Sequence, residues 1–131
     1  MKKLGVLLVF LVAVTVSTFA YSDSCFSGTS YYNWQGYSDS DSKIINGPDS
    51  YVNWRISLEA ADHGSYASGS ISLDFGVVKQ YSLSSNSYGL STLDRTGGMH
   101  NEGSLIYFDT YASVVGRAPG VWAAAYAEVS W

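Results

Sequence analysis

Between Tyr51 and Ala60 the side chains alternate without a break. Val52, Trp54, Ile56, Leu58 and Ala60 share one parity, and Tyr51, Asn53, Arg55, Ser57 and Glu59 share the other. Successive side chains of a strand point to opposite sides, so this period of two predicts a β-strand with one apolar and one polar face. An apolar face needs cover, which demands a second layer. From Ser70 the pattern resumes, with Ile71, Leu73, Phe75 and Val77 opposing Ser70, Ser72, Asp74 and Gly76. Lys79 then falls on the apolar parity before Tyr81 and Leu83 restore it. A bulge near Gly76 explains the break, as does an inward-pointing lysine on an edge strand.

The intervening Asp62-His63-Gly64-Ser65 reads as a hairpin loop. A second hairpin is expected where Leu105–Val115 and Val121–Trp131 flank Gly116-Arg117-Ala118-Pro119-Gly120. Thr29–Tyr37 reads as a first strand, and Lys43–Asn46 as a short edge strand closed by the turn Asn46-Gly47-Pro48-Asp49. Leu90–Gly103, which contains Gly97-Gly98, reads as a long loop. Serine occurs 21 times and tyrosine 11 times after residue 20, a composition that favours pleated strands over helix. The expected fold is therefore all-β: a single antiparallel β-sandwich of six or seven strands over residues 21–131.

Residues 1–20 read as a cleaved secretory signal. Lys2 and Lys3 precede the apolar run Leu4–Val16, and Thr18-Phe19-Ala20 ends it with small residues. A secreted or cell-surface location follows. Losing Lys2 and Lys3 with this segment takes the formal charge from −4 to −6. An acidic chain with no basic run excludes a nucleic-acid partner. No later run is long enough for a membrane-spanning helix, so the mature monomer is not expected to span a membrane.

Cys25 is the only cysteine. In an oxidising compartment it is either an inert thiol on an N-terminal tail or a candidate for an intermolecular disulfide. The preceding Ser22-Asp23-Ser24 does not match a lipidation site. Asp39, Asp41 and Asp49 are weak candidates for a hard cation, but their spacing lacks the glycine and closing glutamate of a calcium loop. No metal site and no cofactor is expected. His63 and His100 sit in separate loops, and no Gly-x-Ser-x-Gly elbow occurs, so no enzyme activity is expected.

Tyr31, Tyr32, Trp34 and Tyr37 place four rings in seven residues, interleaved with Asn33 and Gln35. Rings that stack on sugar faces beside hydrogen-bonding amides suit a carbohydrate, and the same residues suit a protein partner or the sandwich core. Partner binding is assigned to these four residues. The expected function is a secreted, non-enzymatic binding or self-assembly module. Its partners are further copies of itself or another extracellular protein, with carbohydrate as an alternative. The specific mechanism expected is edge pairing between copies, with a flexible Tyr21–Thr29 adding a strand to a neighbour.

Two resemblances supply further alternatives. Arg117-Ala118-Pro119-Gly120-Val121-Trp122-Ala123, Trp131 and Tyr88-Gly89-Leu90-Ser91 are similar to segments of lactococcin-type β-sandwich bacteriocins, over about a third of the chain and without their histidine-rich middle. That likeness implies an antimicrobial protein. The row Val121, Ala123, Ala125, Ala127, Val129 and Trp131 resembles the closing strand of an outer-membrane barrel, and implies a barrel component assembled from several chains.

Overall fold

A computed structural model describes residues 21–30, 36–74, 76–85, 88–115 and 120–131. The described residues form eight strands: β1 (Ser22–Ser30), β2 (Tyr37–Asn46), β3 (Asp49–Ala61), β4 (Ser65–Leu73), β5 (Gly76–Ser85), β6 (Leu90–Glu102), β7 (Leu105–Val114) and β8 (Trp122–Ser130). They build two four-stranded antiparallel sheets, ordered β1-β8-β3-β6 and β2-β7-β4-β5. This is the expected all-β sandwich, with eight strands in place of six or seven, wound as a jelly roll.

The strand order corrects both hairpin expectations. Asp62-His63-Gly64 does reverse the chain, and Gly64 takes a φ of 89° there. However, β3 and β4 belong to different sheets, and so do β7 and β8. Turn chemistry specifies reversal, not which strand the next one pairs with. The consecutive strands that do pair are β4 and β5, joined at Asp74, whose φ is 45°. The run from Ser70 to Leu83 is thus two strands, and the expected bulge near Gly76 is there: pairing passes from Ile71–Lys79 to Ser72–Val77 and leaves Val78 over, two residues past Gly76. Lys79 does turn inward on edge strand β5, its Nζ 5.7 Å from the centre of the Trp54 ring.

Leu90–Glu102, expected as loop, is the thirteen-residue strand β6 and pairs along the whole of β3. Its two glycines sit where aromatic rings cover them: a side chain at Gly97 would collide with the Trp54 ring, and one at Gly98 with Tyr51. Such covering restores the packing that a glycine strand lacks.

The inward rows of both sheets form the core. Ile56 and Leu58 of β3, Ile71 of β4, Ile106 and Phe108 of β7 and Val129 of β8 are fully buried. Each such side chain contributes roughly 1.5–3 kcal/mol of burial. Large and small residues face each other across the layers: Gly69 of β4 meets Ile56 and Leu58. The alanine row of β8 points into this core, not toward a lipid surface, so its barrel-like pattern reflects the inner face of a sandwich.

Residues 22–30 are not a free tail. They pair with β8 of the same chain throughout. Ser27 is buried, and its hydroxyl bonds Thr110 Oγ1 at 2.7 Å across the sandwich. The outer edge of β1 is closed by β2. Asp41 Oδ2 accepts the Phe26 N–H at 3.1 Å, and Asp39 Oδ2 accepts the Gly28 N–H at 3.0 Å. Lys43 Nζ meets Asp23 Oδ1 at 2.5 Å. Carboxylates therefore occupy donors on the edge of β1, and the expectation of a flexible Tyr21–Thr29 free to add a strand to a neighbour is corrected.

The hydrogen bond from Lys43 holds the Asp23 carboxyl below its ordinary range. A carboxylate depressed in the folded state stabilises above its unfolded pKa, and that contribution is lost as pH falls through the folded value. Asp23→Asn is accordingly expected to lower the urea midpoint at pH 7 and to leave it nearly unchanged at pH 2.5. An equal loss at both pH values would refute the pairing.

Candidate functional site

The outer face of the β1-β8-β3-β6 sheet carries the polar parity of β3. Register sets its neighbours in rows: Ser130 and Gly98 flank Asn53, Glu128 and Thr96 flank Arg55, and Tyr126 and Asp94 flank Ser57. Among the described residues, shallow hollows on this face include a pair that share Arg55. One, of about 440 Å³, is walled by Tyr51, Asn53, Arg55, Thr96, Glu128 and Ser130. The other, of about 280 Å³, lies among Phe26, Ser57, Glu59, Ala124 and Tyr126.

Arg55 is held in place by a two-point bond to Asp94, Nε to Oδ1 at 3.1 Å and Nη2 to Oδ2 at 2.8 Å. The pairing raises the guanidinium pKa and lowers that of the carboxyl, so both stay charged. A planar fork fixed this way presents its remaining donors in a set direction. Burial raises the Tyr126 phenol, against a hydrogen bond with Ser24 that lowers it, so this phenol stays a neutral donor or acceptor.

Tyr51 lies across Gly98 and is still 60% exposed. On the inner side of the same strand the Trp54 indole lies under Gly97, 6% exposed and stacked on Tyr81 with centroids 6.1 Å apart. Its Nε1 is buried without a hydrogen-bond partner, beside the larger hollow. An unmade buried donor costs about 1–3 kcal/mol. Arg55, Tyr51 and Asn53 are visible in the sequence as the polar parity of β3. Their neighbours on β8 and β6 are not, because the pairing partners of β3 lie far along the chain.

The residues singled out from the sequence fare differently. Tyr31, Tyr32 and Trp34 lie outside the described residues, in the segment between β1 and β2. Tyr37 opens β2 opposite Val114 and is 42% exposed. Asp39 and Asp41 turn to the backbone of β1, whereas Asp49 begins β3 opposite Glu102, so the three do not converge. Among the described residues no three potential metal ligands meet. His63 packs edge-on to Tyr88 at one end of β3, and His100 pairs with Tyr51 at the other.

Cys25 is 2% exposed in the core, a free thiol whose pKa burial pushes up to about 11. It is neither on a tail nor reactive at neutral pH. A disulfide with a second copy would require β1 to leave its sheet.

No model of a known protein family matches the chain, and no curated protein matches it. Solved structures of similar fold include TmCBM61 in complex with beta-1,4-galactotriose, at 13% identity and TM-score 0.45 over 83% of this chain and 68% of that one. The Broad Bean Stain Virus structure aligns at 9% identity and TM-score 0.42 over 83% and 84% of the two chains. The T=1 particle protein of Infectious Bursal Virus aligns at 16% identity and TM-score 0.43 over 85% of this chain, which spans 31% of that one.

The two glycines make a paired test. Trp54 is locked in the core, so Gly97→Ala overpacks it and is expected to cost about 1–3 kcal/mol in urea unfolding. Tyr51 is free to swing away, so Gly98→Ala is expected to cost less than about 0.5 kcal/mol. Equal costs would show that the rings are not packed as described.

Proposed function

We propose that this chain is a non-catalytic binding module, exported from the cytoplasm, that holds a carbohydrate on the outer face of the β1-β8-β3-β6 sheet. The observation that carries this reading is the Tyr51 ring laid over Gly98 beside Asn53, Arg55, Glu128 and Ser130. A sugar ring offers an apolar C–H face and a rim of hydroxyls. An exposed aromatic ring covers the first, and fixed amide, guanidinium and carboxylate groups bond the second. Arg55 is already oriented by Asp94, so little freedom is lost when it engages a ligand.

Assembly by strand addition at β1 is the weaker reading, because Asp39 and Asp41 already hold the edge donors. Arg55 and Asp94 are committed to each other, and no histidine stands beside a serine and a carboxylate in either hollow.

Electrophoresis through native gels containing soluble glucan, galactan, mannan or xylan tests the proposal. The protein is expected to be retarded by at least one polymer, and Tyr51→Ala to weaken that retardation roughly tenfold, the equivalent of about 1.4 kcal/mol. Tyr51 is 60% exposed and gives up only its cover of Gly98, so the variant should lose less than about 1 kcal/mol of stability and remain folded. Absence of retardation in every gel, or equal retardation of Tyr51→Ala, would overturn the reading.

A further inference from the structure

The opposite face of the sandwich has a different chemistry. Register across β2, β7, β4 and β5 places outward side chains in three rows: Ser38, Ser113, Tyr66 and Ser84, then Ser40, Tyr111, Ser68 and Ser82, then Ser42, Asp109, Ser70 and Gln80. Eight of these twelve positions are serine and one carries a charge, Asp109, to which the Ser70 hydroxyl donates. Three corresponding rows of the first sheet include Arg55, Glu59, Asp94 and Glu128. One face is charged and sculpted; the other is nearly neutral, with these hydroxyl rows bordered by a fourth row of Ile44, Tyr107, Ser72 and Val77, in which Ile44 and Val77 are exposed.

We infer that the outer face of the β2-β7-β4-β5 sheet is a second binding surface, for a neutral polysaccharide in its ordered, insoluble state. Serine hydroxyls rotate and both donate and accept, so a field of them meets ligand hydroxyls of either polarity. Short side chains lose little rotamer freedom on docking. Protein interfaces are depleted in serine, which sets a second copy or another protein aside. An anionic polymer would meet Asp109 on an already acidic chain.

The ordered state follows from the relief of the face. Serines of one strand recur about every 6.6–6.8 Å on this side, and strands lie about 4.8 Å apart. A single chain would engage one row, and each hydrogen bond is worth little net of the water it displaces. A repeating surface engages all three rows at once. Between β2 and β7 a depression of about 370 Å³, with Tyr107 and Tyr111 on either side of Asp109 and Ser40 and Ser42 opposite, receives a protruding sugar ring. With the first face on the other side of the sandwich, one domain would join a dissolved chain to a solid one.

The test is co-sedimentation with microcrystalline cellulose and with chitin particles, which separates two sources of the same chemistry. The protein is expected to sediment with at least one of them, and Tyr51→Ala to sediment equally well. The double variant Ser40→Glu/Ser68→Glu is expected to lower the bound fraction at least fivefold with an unchanged melting temperature. Ser82→Lys, exposed on edge strand β5, should act in the same direction if the double variant fails to fold. Sedimentation with neither particle, or serine variants that bind like the parent, would overturn the inference. So would loss of sedimentation in Tyr51→Ala alone, a result that leaves the first-face reading standing.

Discussion

The inward row of β3 is the constraint on which the other elements depend. Val52, Ile56 and Leu58 are fully buried, and β3 pairs with β6 on one side and β8 on the other. A strand in that position cannot be satisfied by its sequence neighbours. Its partners come from the last third of the chain, and the layer covering it includes β4, whose Gly69 yields the space for Ile56 and Leu58. Once β3 is paired and covered, little choice remains for the other strands. β1 fits beside β8, β2 fits beside β7, and the alternation between sheets makes the jelly roll.

Closing the layers leaves two long margins, and they are treated differently. Along β1 and β2 the margin is sealed by side chains acting in place of a strand. Asp39 and Asp41 accept backbone N–H groups, Lys43 meets Asp23, and Ser27 reaches Thr110 across the core. Along β5 and β6 the seal is aromatic: Trp54 reaches under Gly97, with Tyr81 stacked on it and Lys79 over its ring. With these positions occupied, the two outer faces are the broad open surfaces of the sandwich. The two faces diverge because nothing in the core restrains their side chains, one becoming charged and aromatic, the other a field of serine.

Period two was enough to read β3 and its two faces from the residues, and enough to place a strand at β8 despite its helix-favouring alanines. It was not enough for β6. There Gly97 and Gly98 weaken the local strand signal, and the compensating rings of Trp54 and Tyr51 come from another strand. The candidate site suffered in the same way. The polar row Tyr51, Asn53, Arg55, Ser57 and Glu59 was legible, but Glu128, Tyr126 and Asp94, which turn that row into a site, are supplied through pairing. Asp39 and Asp41 looked like cation ligands because a sequence shows their oxygens and not the backbone donors of β1 that use them.

By itself, then, the sequence determined that the chain would form pleated strands with segregated faces, since side-chain alternation is a local consequence of backbone geometry. It also determined that two layers were needed, since apolar faces must be covered. Only the tertiary structure decided which strands meet. Turn residues specify where a chain reverses, while pairing is settled by which long-range arrangement buries the inner rows together. The burial of Cys25, the sealing of β1 and the composition of both outer faces are outcomes of that choice.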